Sequence, residues 1–244
     1  LETSQNDIFL KDETGCWIIG EKAHEIITPT NAMNYEAEMY ERNRYYLPAF
    51  SALMKAGLGI ALTSNFCQAY NGEPIFVQTG LPPEYKKMDS ADLKSVIAGE
   101  FEFDLKIGKN PFRHYKFTIN ENYVFIMDQP MGSLYSAITD NEGTQGQFGF
   151  QVLSSKTLVF DPGFKTLDIY NISAGKPAGK PATFDDLGMH EIFQRTASDL
   201  KGANITVLGM QSALKKGYVT IFDKKKMVNR KERFEDLLEK NTKE

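Results

Sequence analysis

The sequence predicts an α/β protein, and three observations carry that prediction. A β-hairpin is expected at 156–172, KTLVFDPGFKTLDIYNI, with polar groups gathered in its tight turn. An apolar strand is expected at 74–79, PIFVQT, running into Gly80-Leu81-Pro82-Pro83, a strand-end loop of the kind that carries sites in α/β proteins. Strand signals at 101–107, 113–119 and 123–127 are then followed by a helix that opens at Gln129-Pro130.

In chain order, residues 1–15 are polar and are expected either to fray or to join a strand hairpin. Cys16 to Gly20 reads as a short strand, and Glu21 starts a turn or helix. A mostly helical pattern runs from Tyr35 to Gly57. Tyr46, Phe50, Leu53 and Met54 form its expected core stripe, and Pro48 is suited to the first turn of a helix restarting near Leu47. A second helix is expected at 60–70, ended by Asn71-Gly72. Asp89 is expected to cap a helix at 91–98, which Gly99 stops. The helix opened by Pro130 should end near Ile138. The Gly-rich loop at 139–149 is the expected boundary between two domains, 1–149 and 150–244.

Residues 173–183, SAGKPAGKPAT, read as a linker or an exposed hairpin tip. Asp185 or Asp186 is expected to cap a helix at 187–200 that buries Met189, Ile192, Phe193 and Ala197. A helix capped by Asn204 and stopped by Gly217, a strand at 218–222 and a helix from about Asn229 to Glu239 complete the chain.

The 244 residues suffice for one large or two smaller domains. With 41% hydrophobic and 25% charged residues the composition is that of an ordinary globular protein. A net charge of −4 argues against direct nucleic-acid binding by the whole surface. Cys16 and Cys67 form no CxxC pair, read as small core residues, and point to a reducing, cytoplasmic setting. His24, His114 and His190 show no metal spacing. No apolar run is long enough for a membrane span, and no signal peptide is evident. The segment from Lys215 to Arg233 holds eight basic residues against Asp223 and Glu232. It reads as a solvated face or as a contact surface for another subunit or an acidic partner.

The hairpin turn carries the chemistry. Pro162 fixes φ and removes a donor, and Gly163 permits backbone conformations other residues resist. Backbone N–H groups, the Thr166 hydroxyl and the Lys165 ammonium can then converge on an anion, with Asp161 and Asp168 at the two ends. A carboxylate beside such a nest is what a Mg²⁺–phosphate site requires. The same residues also describe an ordinary hairpin with Pro-Gly in its turn.

Asp161-x-Gly163-x-x-Thr166-x-Asp168 resembles the second phosphate motif of the actin, heat-shock chaperone and sugar kinase ATPases. The Thr166 to Ile169 ending resembles in particular the ParM-like plasmid-segregation actins. Thr79-Gly80-Leu81-Pro82 is similar to their strand-to-Gly-Leu-Pro segment. Asp128-Gln129-Pro130 is similar to the place where they set a polar residue facing the γ-phosphate. Phe164-Lys165 departs from the small residues usual in that motif. The resemblance covers roughly residues 15–220 and implies an actin-like ATPase fold, two RNase H-like domains around a nucleotide cleft.

It further implies ATP and Mg²⁺ as cofactors. Asp161 would hold the metal, Gly163, Phe164, Lys165 and Thr166 would meet phosphates, Asp168 would support the metal, and Gln129 would orient the attacking water. Self-assembly into filaments and a DNA-binding adaptor protein are the implied partners. A first Asp-x-Gly phosphate loop and a late Gly-Gly motif are not found, and the chain starts at Leu1. An internal portion of a longer ATPase is therefore expected ahead of a degenerate relative. A phosphotransferase using Asp128, or a non-catalytic scaffold, are the alternatives on the same fold.

Overall fold

The computed structural model describes residues 5–26, 41–63, 72–146, 148–199, 205–207, 209–210, 213, 220–223, 226–229, 239 and 243. They form two compact units. One comprises residues 1–77 and 91–125, the other 78–90 and 126–244. Neither is continuous in sequence, and the 139–149 loop lies inside the second.

The first unit is built on a four-stranded antiparallel sheet in the order β2-β1-β4-β5. Here β1 is Ile8–Asp12, β2 Gly15–Ile19, β4 Gly99–Ile107 and β5 Arg113–Ile119. Strands β4 and β5 alternate strictly, so Phe101, Phe103, Leu105, Tyr115, Phe117 and Ile119 are buried while Glu100, Glu102, Lys116 and Thr118 stay exposed. The N-terminal residues thus take the hairpin option, followed by the short helix α1, Glu21–Ile26.

Helix α2, Pro48–Thr63, begins at the expected proline. Its buried face is not the expected stripe. Ala52, Lys55, Ala56, Gly59 and Leu62 are buried, whereas Tyr46 and Leu53 are exposed. The reason is close approach: a Cβ on Gly59 would lie 2.6 Å from Leu105 Cδ2. Large side chains at this seam would hold the helix off the sheet. The helix runs to Thr63 without a break at Ile60, and residues 64–71 lie outside the described residues. Cys16 is exposed rather than a core residue, and Cys67 lies outside the described residues.

Strand β3 is Val77–Leu81, three residues later than the apolar run suggested. Pro74 donates no ladder bond, and the exposed Phe76 packs against Tyr123 in a tilted pair with ring centroids 4.5 Å apart. The strand therefore absorbs Gly80 and Leu81. It pairs with β6, Val124–Asp128. Helix α3, Pro83–Ile97, starts at a proline in the first helical position, and the Pro82 carbonyl accepts from the Tyr85 and Lys86 N–H groups. Asp89 is consequently a buried mid-helix residue, not a cap.

The second unit holds the predicted hairpin, β7 at Lys156–Pro162 and β8 at Thr166–Ser173. The sheet order is β10-β8-β7, with β9, Lys176–Pro177, also pairing β8 and β10 being Ala182–Asp185. Residues 173–183 are thus a hairpin connection. Helix α4, Gln129–Ile138, and helix α5, Gly149–Ser154, cover one sheet face. Leu134, Ile138, Val159, Tyr170 and Ile172 fill that core. A second cluster joins Phe193, from helix α6 (Met189–Asp199), to Met210 and Ala213. A last hairpin pairs β11, Thr220–Asp223, with β12, Lys226–Asn229, so Asn229 ends a strand rather than starting a helix. The expected Asn204 cap and Gly217 stop lie outside the described residues. Among the described residues no helix is long and apolar enough to cross a membrane.

Candidate active site

Every residue singled out for chemistry belongs to the second unit. The hairpin register sets Asp161 opposite Asp168, one step from the Pro162–Leu167 pair that closes the turn. Alternation then decides orientation. Asp168 lies on the covered face with Thr166 and Tyr170 and is fully buried.

Asp168 is held by two hydroxyls. Thr183 Oγ1 donates to Oδ1 at 2.6 Å, and Thr166 Oγ1 to Oδ2 at 3.2 Å. Burial pushes its carboxyl above the usual carboxylate range and outweighs these two bonds, with the negative charges of Asp161 and Asp185 adding to the rise. Asp161 differs in kind: its Oδ2 is buried and has no hydrogen-bond partner among the described residues. A buried unpaired carboxylate oxygen beside a second carboxylate lacks positive charge. No group of three or more protein ligands gathers around a metal position among the described residues. A one- or two-carboxylate set suits Mg²⁺, which keeps several waters and takes phosphate oxygens.

Gly163 shapes the turn. Its N–H donates to the Asp161 carbonyl at 3.0 Å. A Cβ there would lie 3.0 Å from the Thr166 carbonyl oxygen and 3.8 Å from both Thr166 Oγ1 and Gln129 Nε2. The Gln129 side chain therefore reaches the glycine of the turn although 34 positions separate the two in sequence. Its backbone is held from behind by β3, since a Cβ on Gly80 would come 3.0 Å from Gln129 Cα. The Gly80 and Gln129 motifs thus touch each other.

The turn is fixed from the other side by α6. The Met189 and His190 N–H groups donate to the Gly163 and Phe164 carbonyls at 3.0 and 2.7 Å. These bonds cap the helix in place of Asp185 or Asp186, because Asp185 belongs to β10 and Asp186 takes a positive φ of 62°. The approach is so close that a Cβ on Gly188 would lie 2.4 Å from the Phe164 carbonyl oxygen. The Phe164 ring packs toward Phe193 and His190. The Lys165 ammonium is ion-paired with Asp186 and holds that carboxyl below its usual range.

Further residues appear that motif reading missed. Tyr170 Oη donates to Asp128 Oδ2 at 2.7 Å, and Lys86 Nζ lies 3.3 Å from Asp128 Oδ1. Burial and the Asp128 carboxylate both push the Tyr170 hydroxyl pKa up, so it stays a donor. Asp128, the residue before Gln129, is therefore anchored through both oxygens. Tyr85 bonds to Asp185, which pairs in register with Thr166. Only the alternation of β8, which puts Tyr170 on the face of Asp168, could have indicated Tyr170. Lys86 and Thr183 carried no sequence signal.

No family model matches the chain, and no curated protein matches it in sequence. Solved structures do match. The apo form of psk41 ParM superposes with a TM-score of 0.54 at 16% identity, over 100% of this chain and 64% of that one. AlfA from B. subtilis plasmid pLS32, solved as a filament, gives 0.50 at 16% identity over 93% and 80%. Ta0583, an archaeal actin homologue in complex with ADP, gives 0.54 at 14% identity over 96% and 68%. The chain thus has the actin-like fold expected from its motifs. It spans about two thirds of the psk41 ParM chain.

Proposed function

We propose that this chain is the nucleotide-holding part of an actin-like ATPase that assembles into filaments and serves DNA segregation through a DNA-binding adaptor. The observation that carries the reading is that the turn holding the unsatisfied Asp161 oxygen is also the one whose Gly163 the Gln129 amide reaches. The filament and ADP-bound relatives of the same fold support it.

In this reading Asp161 would hold Mg²⁺, and Asp168, fixed by Thr166 and Thr183, would support it. Bound ATP would supply the phosphoryl group and Mg²⁺ would neutralise its charge. Gly163 would keep the turn open to phosphate, and Lys165, ion-paired with Asp186, would balance phosphate charge. Gln129 accepts from a water and donates to an oxygen at the same time, which a neutral amide can do. The Tyr170 and Lys86 anchors on Asp128 keep Gln129 at the strand end. Catalysis of this kind is positioning plus charge stabilisation.

The phosphotransferase alternative needs Asp128 as a base for a substrate hydroxyl. Both of its oxygens are engaged, one by a Tyr hydroxyl and one by an ammonium, which counts against that role. The test is light scattering and phosphate release on the protein with Mg–ATP, Mg–ADP and no nucleotide. The proposal expects ATP-dependent assembly followed by phosphate release. Phosphate transfer to a small hydroxyl acceptor without assembly would replace it.

A further inference from the structure

The turn that carries the candidate site holds a cation that is already occupied. Lys165 Nζ is ion-paired with the Asp186 carboxylate, and neither group has a second ion-pair partner among the described residues. The pairing is particular to this chain, because Lys165 stands where the motif that the turn resembles has a small residue.

Backbone contacts deliver Asp186 to the turn. On one side of it, Asp185 pairs in register with Thr166. On the other, the Met189 and His190 N–H groups hold the Gly163 and Phe164 carbonyls, and a Cβ on Gly188 would lie 2.6 Å from the Lys165 carbonyl carbon. Residues 185–190 thus run along residues 163–166 as a strap. Asp186 has a φ of 62°, a left-handed conformation that Asp and Asn tolerate better than most residues. Its carboxylate is therefore a tethered anion, held beside Lys165 by the strap at a high effective concentration. The ion pair itself is weak. Its side chains are 39% and 67% exposed, so water and salt screen it. Lysine is a flexible point charge, and a phosphate group carrying more than one negative charge outcompetes a single carboxylate for it.

We propose that Asp186 is a resident competitor for Lys165 that phosphate displaces, and that it thereby sets the affinity of the turn for nucleotide. The inference rests on the phosphate reading of the turn given above and adds to it a residue that weakens binding. Affinity is kept below the level that Lys165 alone would give.

The test is calorimetric titration of Mg–ATP into the wild type, Asp186→Asn, Lys165→Gln and the double variant, at low and at high salt. Asn suits the same backbone conformation, so Asp186→Asn removes the charge and leaves the strap in place. At low salt it should bind Mg–ATP about three- to fivefold more tightly than the wild type, the scale of an exposed ion pair, and the gain should fade as salt rises. Lys165→Gln should bind at least about threefold more weakly than the wild type. With Lys165→Gln in place, adding Asp186→Asn should change affinity by less than about twofold, because no cation remains to compete for. Circular dichroism checks that each variant is folded. A wild type that binds no Mg–ATP would overturn this inference together with the Asp161–Gln129 reading. A wild type that binds, with Asp186→Asn no tighter or with its full gain kept in the Lys165→Gln background, would overturn this inference alone.

Discussion

Replacing Asp161 by Asn separates a metal ligand from a structural carboxylate. Its Oδ2 is buried with no hydrogen-bond partner among the described residues, and the residue pairs in register with Asp168 across the hairpin. A buried unsatisfied polar group costs about 1–3 kcal/mol, and the neighbouring carboxylate adds like-charge repulsion. Asn removes the charge and with it the repulsion. With Mg²⁺ chelated, Asp161→Asn should therefore stabilise the protein by about 1–2 kcal/mol, raising Tm by roughly 2–8 °C for a chain of this size. With Mg–ATP at ~100 times its Kd the wild type should gain about 2.7 kcal/mol by mass action, and the variant little. The order of stability should invert between the two conditions. Thermal unfolding followed by circular dichroism, with EDTA and with Mg–ATP, reads both. A variant destabilised by more than about 1 kcal/mol in EDTA, or stabilised by Mg–ATP as strongly as the wild type, would refute the assignment.

Gln129→Ala should keep ATP affinity within a few-fold and slow single-turnover phosphate release about tenfold or more, the effect of losing one positioning contact worth ~1.4 kcal/mol. Weaker binding with unchanged release would remove the water-orienting role. Gly188→Ala puts a methyl 2.4 Å from the Phe164 carbonyl oxygen and should cost about 1–3 kcal/mol in urea unfolding, because both atoms are fixed by backbone bonds. Lys55→Met leaves the buried Asp12 carboxylate without its cation, held only by the Thr14 N–H and hydroxyl, and should cost about 3–5 kcal/mol near neutral pH. In the wild type burial raises the Asp12 carboxyl, but bonds from Lys55 and Thr14 lower it further, so it lies below its usual value. Its stabilisation is thus full above the unfolded value of about 3.9 and is lost as pH falls through the lower folded one. Without Lys55 that support is gone, so the penalty of Lys55→Met should shrink in acid. An unchanged penalty at about pH 3 would contradict this.

The elements readable in the sequence were those whose local signals agree with their tertiary surroundings. The 156–172 hairpin and the Gln129–Ile138 helix fall where the alternation and the Gln-Pro start put them. Others were misread because of close backbone approach. Gly59 and Gly80 let α2 and β3 draw near their neighbours, which exposes Leu53 and allows β3, displaced from Pro74 and Phe76, to run onto Gly80-Leu81. Local propensity contains no information about such seams. The Asp186 cap failed for the same reason, since the N–H groups of α6 are met by carbonyls some 25 residues away. At the site, the motif gave the residues around the Asp161 turn. It could not give the partners of Asp128 and Asp168, because Lys86, Tyr170 and Thr183 arrive from α3, β8 and β10 through tertiary packing alone.

The most direct measurement is calorimetric titration of ATP into the protein with Mg²⁺ and with EDTA, repeated on Asp161→Asn. The account predicts binding to the wild type that weakens at least about tenfold when Mg²⁺ is removed, and a similar loss in the variant whether or not Mg²⁺ is present. Binding that ignores both the metal and the substitution would contradict it.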